Sequence, residues 1–118
     1  MPDVVVTVPK SFGWDRWIAE GDRAGEPWTG EEWGFYTWGA RPRIEPGERV
    51  YVVHNGKLRG YAPLIRLVAP LSFGQVVFVR GGGAIAVTIQ APILGFRGWR
   101  YAWWDRKIER PFPEWRTP

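Results

Sequence analysis

The residue types best suited to chemistry in this 118-residue chain are aromatic and arginine side chains, and one stretch that combines them extends from residue 28 to residue 43. Flat rings stack on unpaired bases, hydroxyl groups hydrogen-bond base edges, and guanidinium groups bind phosphate through two bonds at once. All three kinds of group occur here, in Trp28, Thr29, Trp33, Tyr36, Thr37, Trp38, Arg41 and Arg43. The stretch therefore predicts a site for a nucleotide or an unpaired base. The alternative is that the rings form hydrophobic core and the arginines are ordinary surface residues.

Three further arginines are predicted to contact phosphate, namely Arg49, Arg80 and Arg100. Arg80 precedes Gly81–Gly83, and consecutive glycines let backbone N–H groups approach an anion closely. A β-branched strand rather than a helix follows these glycines, so neither the P-loop nor the dinucleotide-binding fingerprint applies. A plain turn is the simpler interpretation of the glycine run.

Groups suited to catalysis or metal binding are scarce. The chain has one His and no Cys, and neither Ser11 nor Ser72 lies in the sequence context of a nucleophile elbow. His54 flanks a predicted turn, where a solvated imidazole is expected. The sequence thus predicts no catalytic residue, no metal and no cofactor, and it favours a binding module over an enzyme.

The composition fits a nucleic-acid partner and a single soluble, cytoplasmic domain. Nine Trp residues exceed what a core of this size needs, and 13 Arg against 3 Lys contribute to a net charge of +4. This charge is compatible with RNA or DNA, although the Arg bias also fits a GC-rich or heat-adapted source. No apolar run is long enough to span a bilayer, and Met1–Lys10 lacks the features of a signal peptide, so we expect no membrane association.

The elements that must position these side chains are organised around a hairpin at residues 47–68. Asn55–Gly56 separates two extended runs, which predicts a type I′ turn of two residues. Gly60, opposite a bulky Tyr, indicates a bend or a close approach by backbone or ligand, and Pro63 indicates a bulge or a sheet edge from there on. The predicted cross-strand pairs are His54 with Lys57, Val53 with Leu58, Val52 with Arg59, Tyr51 with Gly60, and Val50 with Tyr61.

Four other runs are predicted to be strands and one to be a helix. The strands cover residues 3–8, 33–38, 71–80 and 84–90, and the helix extends from Ser11 to about Glu20. Aromatic residues alternate onto both faces of strand 33–38, so we expect neither face to be plainly exposed to solvent. The whole pattern predicts a mainly β fold with one short helix (α+β), a small, mostly antiparallel pseudobarrel.

Residues 94–118 interleave aromatic side chains with Arg and Lys. Because a segment with so many rings is not expected to be disordered, we predict that it wraps back over the barrel. It is either a packing strap or a second surface for a nucleic-acid strand, and a protein partner bound through its Trp residues is a further alternative.

The hairpin region resembles the PUA-like superfamily, and within it the ASCH and EVE groups. The resemblance is carried by Pro46–Val53, with the sequence Pro-Gly-Glu-Arg-Val-Tyr-Val-Val, and by the return strand Lys57–Tyr61. It extends over roughly residues 3–90. It implies a pseudobarrel that binds RNA or DNA, in EVE relatives often a modified base, in a cleft walled by aromatic residues.

The sequence departs from the ASCH pattern after the predicted helix. ASCH proteins typically carry a Gly-x-Lys-x-x-Glu-x-Arg motif there, whereas Gly21-Asp22-Arg23 and Gly25-Glu26-Pro27 lack that spacing, which weighs against an enzyme. An ASCH-type enzyme acting on RNA or a modified nucleoside is still an alternative function, and it would need Glu48 buried together with Arg49 or Lys57. A structural or protein-interaction domain is the other alternative.

Overall fold

The computed structural model describes residues 2–9, 13–14, 32–68, 75–81 and 84–115. The mainly β class predicted from the sequence is confirmed, whereas the predicted helix falls almost entirely outside the described residues. The elements are β1 (Val4–Thr7), β2 (Trp33–Trp38), β3 (Arg49–His54), β4 (Lys57–Val68), β5 (Gln75–Arg80), β6 (Val87–Thr88), β7 (Trp99–Tyr101), a single-turn 3-10 helix (Arg106–Ile108) and β8 (Arg110–Pro111).

Six of the strands form one mixed sheet in the order β2-β5-β4-β3-β1-β7. Its neighbouring strands are antiparallel, except that β1 and β3 run parallel. A parallel pair needs a long crossover, which the residues between β1 and β3 supply. The three valines of β1 are buried on both faces of the sheet, as expected for a strand with a partner on each side.

The sheet curls until its two edge strands, β2 and β7, touch without pairing. Trp99 Nε1 donates a hydrogen bond to the carbonyl oxygen of Ala40 at 2.8 Å. A Cβ on Gly98 would lie only 2.7 Å from the carbonyl oxygen of Trp38, so the two edges meet directly. Since β2 and β7 share no backbone ladder, the sheet is a half-barrel. We call the region where the two edges meet, residues 36–43 and 98–101, the seam.

The hairpin turn has the predicted conformation, because Asn55 and Gly56 have positive φ angles of 50° and 80°. The predicted pairs of His54 with Lys57 and of Val53 with Leu58 are confirmed. The three predicted pairs beyond them were wrong, because Arg59 is the extra residue of a bulge and shifts the register by one. The observed pairs are Val52 with Gly60, Tyr51 with Tyr61, and Val50 with Ala62.

The bulge is set by contacts that are distant in sequence. Gly60 has a φ of 132°, and a Cβ at this position would collide with the carbonyl oxygen of Ile85. The close approach predicted at Gly60 is therefore confirmed, and the approaching group is backbone. Arg59 turns its side chain into the interior, where the guanidinium lies 5.4 Å from the Trp14 ring and Nε donates to the carbonyl oxygen of His54 at 3.2 Å.

Pro63 marks a second bulge and not a sheet edge. β4 lies between β3 and β5, so the predicted edge position was wrong. The ladder with β5 shifts between Leu64 and Arg66, which leaves Ile65 as an extra residue and confirms the predicted bulge. One inserted residue moves the side chains that follow it to the opposite face of the sheet. Leu64 is therefore buried in the core, while Arg66 is exposed.

His54 is buried, and the predicted solvated imidazole was wrong. Its ring stacks on Trp14, with the ring centroids 5.1 Å apart and an interplanar angle of 16°. Its Nδ1 lies 3.0 Å from the carbonyl oxygen of Val8 and must donate the hydrogen bond, because a carbonyl only accepts. Trp14 is held in turn by a hydrogen bond from its Nε1 to the carbonyl oxygen of Trp115, at 2.6 Å. The turn end of the hairpin is thus covered by side chains from both ends of the chain.

Two hydrophobic clusters lie on opposite faces of the sheet. The inner cluster fills the half-barrel, and the outer cluster joins the other face of β1, β3 and β4 to residues 87–104. Full burial of one aliphatic or aromatic side chain contributes about 1.5–3 kcal/mol, so each cluster contributes substantially to stability. The inner cluster includes Val4, Val6, Val50, Val52, Leu64, Val76 and Phe78, and the outer one includes Val5, Tyr51, Val53, Leu58, Ile89 and Ile93.

Candidate functional site

Strand β2 presents two large aromatic side chains to solvent. Tyr36 is 66% exposed and Trp38 is 57% exposed, whereas Phe35 packs against the inner cluster and Thr37 is buried. The expectation that neither face of this strand is solvent was therefore wrong. The physical reason is that β2 is an edge strand of the sheet, while the outer cluster covers the other face of β1, β3 and β4.

The Tyr36 ring leans along the strand toward Gly34. The Cε1 atom of Tyr36 lies 3.5 Å from where a Cβ of Gly34 would be, and Val77 Cγ1 lies 3.0 Å from the same point. A Cβ at Gly34 would be in ordinary van der Waals contact with the ring and tight only against Val77. The ring has most of its surface in solvent, which is the arrangement needed for a stacking platform.

The segment after β2 crosses one end of the half-barrel and carries two arginines. Ile44 anchors it in the inner cluster. The backbone N–H of Arg43 donates to the hydroxyl oxygen of Tyr101 at 2.9 Å, and that of Glu45 donates to Glu48 Oε1 at 2.8 Å. These bonds and the Trp99 bond to Ala40 tie the segment down on both sides of its arginines.

A groove of about 580 Å³ lies between this segment and the end of β4. Arg41, Arg43 and Arg66 line it together with one acid, Glu45, so positive charge predominates. Arg66 also pairs with Glu32 at 2.8 Å, but an exposed ion pair of this kind is weak and an incoming phosphate can compete with it. We call these three residues the arginine groove. No local pattern predicts Arg66 as a site residue, because only the bulge at Ile65 turns it outward.

Arg49 is engaged within the protein and does not belong to this surface. Its Nη1 lies 2.9 Å from both Glu109 Oε1 and the Tyr51 hydroxyl, and its guanidinium lies 4.0 Å over the Tyr61 ring. Burial opposes the charge on Arg49, but the Tyr51 hydrogen bond and the negative charge of Glu109 outweigh it and raise the pKa of Arg49. Arg49 therefore helps to hold the segment that carries Glu109.

Glu109 is the centre of this polar cluster. The Tyr51 hydroxyl donates to Glu109 Oε2, and Trp104 Nε1 donates to the same oxygen at 2.8 Å. Burial of Tyr51, together with its hydrogen bond to Glu109, raises the pKa of the phenol well above its ordinary value, although Arg49 acts in the opposite direction. We call Arg49, Tyr51, Trp104 and Glu109 the polar knot. Sequence reasoning missed it because its members are brought together only by the fold.

The pair required for an ASCH-type active site is not formed by the residues named for it. Glu48 is buried and accepts the bond from Glu45 described above, whereas Arg49 pairs with Glu109. Lys57 is exposed, and its ammonium lies 6.0 Å from the Phe112 ring.

The other predicted residues are scattered. Arg80 is completely buried at the end of β5, so its side chain does not lie on a surface that a nucleic acid could contact. Arg100 is exposed, but it lies over the Phe96 ring at 4.6 Å, and alternation along β7 puts it on the opposite face from Tyr101. Trp28 and Thr29 lie outside the described residues, and for Trp33 the structure describes only the backbone, which pairs with Arg80.

Comparison with known proteins adds no relative to this description. No model of a protein family, no curated protein and no solved structure matches the chain. Among the residues that the structure describes, no three His, Cys, Asp or Glu side chains are grouped so as to hold a metal ion. Within the same ranges, no helix has the length and apolar character needed to cross a membrane. The resemblance to PUA-like proteins stays a prediction.

Proposed function

We propose that this protein binds nucleic acid or a nucleotide at the seam, with Tyr36 and Trp38 as stacking platforms and the arginine groove as the phosphate site. The observation that carries the proposal is the pair of exposed rings on one strand face, followed directly in the chain by Arg41 and Arg43. A base stacked on an exposed ring is worth about 1–3 kcal/mol, and guanidinium groups suit phosphate because they can donate two bonds at once.

The open geometry of the rings indicates which ligands to expect. Tyr36 and Trp38 lie on an exposed strand face, so they offer a flat surface that any base can cover. We therefore expect weak discrimination among unmodified bases. An oligonucleotide with a modified base should bind more tightly than its unmodified form only if the added group contacts residues of the seam. A parallel titration with modified and unmodified oligonucleotides would reveal such a difference.

The direct test is a fluorescence anisotropy titration of labelled single-stranded RNA and DNA with the protein at low salt. We expect saturable binding that weakens as salt increases, because phosphate contacts release counterions. Trp38→Ala should weaken binding, whereas Trp103→Ala should not, although the two side chains are 57% and 56% exposed. Absence of binding to any oligonucleotide, or equal loss in both variants, would contradict the proposal.

A second candidate function is protein binding through the C-terminal segment, favoured by a different observation. Trp103 and Ile108 are both more than half exposed, and exposed apolar side chains of this size are typical of interaction surfaces. A second copy of the chain is the partner that can be tested first. If this candidate is correct, sedimentation velocity should show self-association that Trp103→Ala abolishes, with nucleic-acid binding unchanged.

A further inference from the structure

We infer that the seam holds an unpaired strand with at least two consecutive nucleotides in an unstacked conformation, in preference to a duplex or a mononucleotide. This inference rests on the proposed function, since it specifies which nucleic acid the same surface accepts. It is carried by the spacing of the two platforms, by the exposure of both rings on one strand face, and by the arginines that flank the row.

The spacing of the platforms excludes neighbouring bases that remain stacked on each other. Tyr36 and Trp38 are two residues apart on one face of β2, so their Cα atoms are separated by about 7 Å. Successive bases in a duplex strand rise by about 3.4 Å, roughly half that distance. Two consecutive bases can cover both rings only after they separate from each other. A paired strand also keeps its base faces inside the stack, where neither ring can reach them.

Arginine side chains flank the row of platforms. Trp38 ends β2 and is followed within five residues by Arg41 and Arg43. Arg66 pairs with Val79, which pairs with Gly34, so Arg66 lies level with the Tyr36 end of the row. A mononucleotide can cover one ring and place its phosphate near these guanidinium groups. The second stacking contact is available only to ligands of two or more nucleotides.

The charge of the surface matches the ligand. Three guanidinium groups and one carboxylate line the groove, and the Glu32 carboxylate that pairs with Arg66 is exposed, so a phosphate can compete with it. A linear polyanion with flat, separable rings fits this charge and the two exposed rings.

The experiment compares four ligands by calorimetric or competition titration at low salt: a nucleoside monophosphate, a 5′-phosphorylated dinucleotide, an unstructured octanucleotide and a fully paired hairpin. Titrations of the parent protein, Tyr36→Ala, Tyr36→Phe and Trp38→Ala are compared. The dinucleotide should bind the parent about 5- to 150-fold more tightly than the mononucleotide, because the second base gains a stacking contact. The hairpin should bind more weakly than the octanucleotide.

The variants separate this inference from the function on which it rests. Tyr36→Ala and Trp38→Ala should each abolish the advantage of the dinucleotide, because each variant keeps one ring only, whereas Tyr36→Phe should retain that advantage. Equal affinity of the parent for mononucleotide and dinucleotide, or a hairpin that binds as tightly as the octanucleotide, would overturn the inference alone. If none of the four ligands binds, the proposed function itself fails.

Discussion

The seam and the polar knot are built from the same kinds of residue and differ in what those residues contact. In the knot, Trp104 and Tyr51 both donate hydrogen bonds to Glu109, and Arg49 pairs with the same carboxylate. At the seam, Tyr36 and Trp38 extend into solvent. The comparison shows that a cluster of Trp, Tyr and Arg does not by itself indicate a binding site. A single buried acid turns such a cluster into internal structure.

The largest effect should come from removing that acid. Glu109→Ala leaves the Arg49 cation without its partner carboxylate and deprives the Tyr51 hydroxyl and the Trp104 indole of their acceptor. We expect the free energy of unfolding in urea to fall by about 2 kcal/mol, because a partly buried cation and two further donors lose their acceptor together. Glu114→Ala, which removes an exposed acid from the same segment, should change it by less than about 0.5 kcal/mol. Equal effects of the two variants would show that the knot is not structural.

The second effect is a pH dependence that belongs to the knot alone. Tyr51 has a pKa raised from its ordinary value of 10.0, so above that pH the unfolded chain releases a proton that the folded protein retains. Stability contributed by Tyr51 is thus complete below about pH 10 and is lost as the pH rises further. Between about pH 9 and pH 11, the parent should lose about 1.4 kcal/mol more than Tyr51→Phe in urea unfolding. Parallel curves for the two proteins would contradict the raised pKa.

The third effect concerns binding at the seam and should leave stability unchanged. Arg41→Ala should reduce the affinity for single strands of any sequence and lower the slope of log affinity against log salt by about 1, as expected for one lost phosphate contact. Its free energy of unfolding in urea should change by no more than about 0.5 kcal/mol, as for ordinary surface substitutions. Arg110→Ala, an exposed arginine on β8, is the matched control and should alter neither quantity. If both arginine variants change the slope equally, the overall positive charge of the protein, and not a defined phosphate site, would account for the binding.

Local sequence patterns were sufficient to predict the parts of the fold that depend on near neighbours. Asn55–Gly56 formed the predicted turn because positive φ angles at both positions are intrinsic to those residue types. The aromatic run of β2 formed a strand, and a bulge follows Pro63 at Ile65, as the position of the proline predicted. These features require no information from the rest of the chain.

Features set by distant contacts could not be predicted in the same way. The register error at Arg59 arose from the contact of Gly60 with Ile85, and His54 is buried because Trp14 stacks on it. No local pattern links these partners. The same holds for the site: alternation placed Tyr36 and Trp38 together, but which face is exposed depended on β2 lying at the sheet edge.

The most direct test of the account is a pair of measurements on Trp38→Ala and Trp104→Ala. We predict that Trp38→Ala weakens binding of a single-stranded octanucleotide by about 1–3 kcal/mol and changes the free energy of unfolding by less than about 1 kcal/mol. Trp104→Ala should do the reverse, losing about 3 kcal/mol of stability while the folded fraction binds as the parent does. A Trp38→Ala protein that is destabilised by about 3 kcal/mol or more and binds the octanucleotide with unchanged affinity would contradict the account.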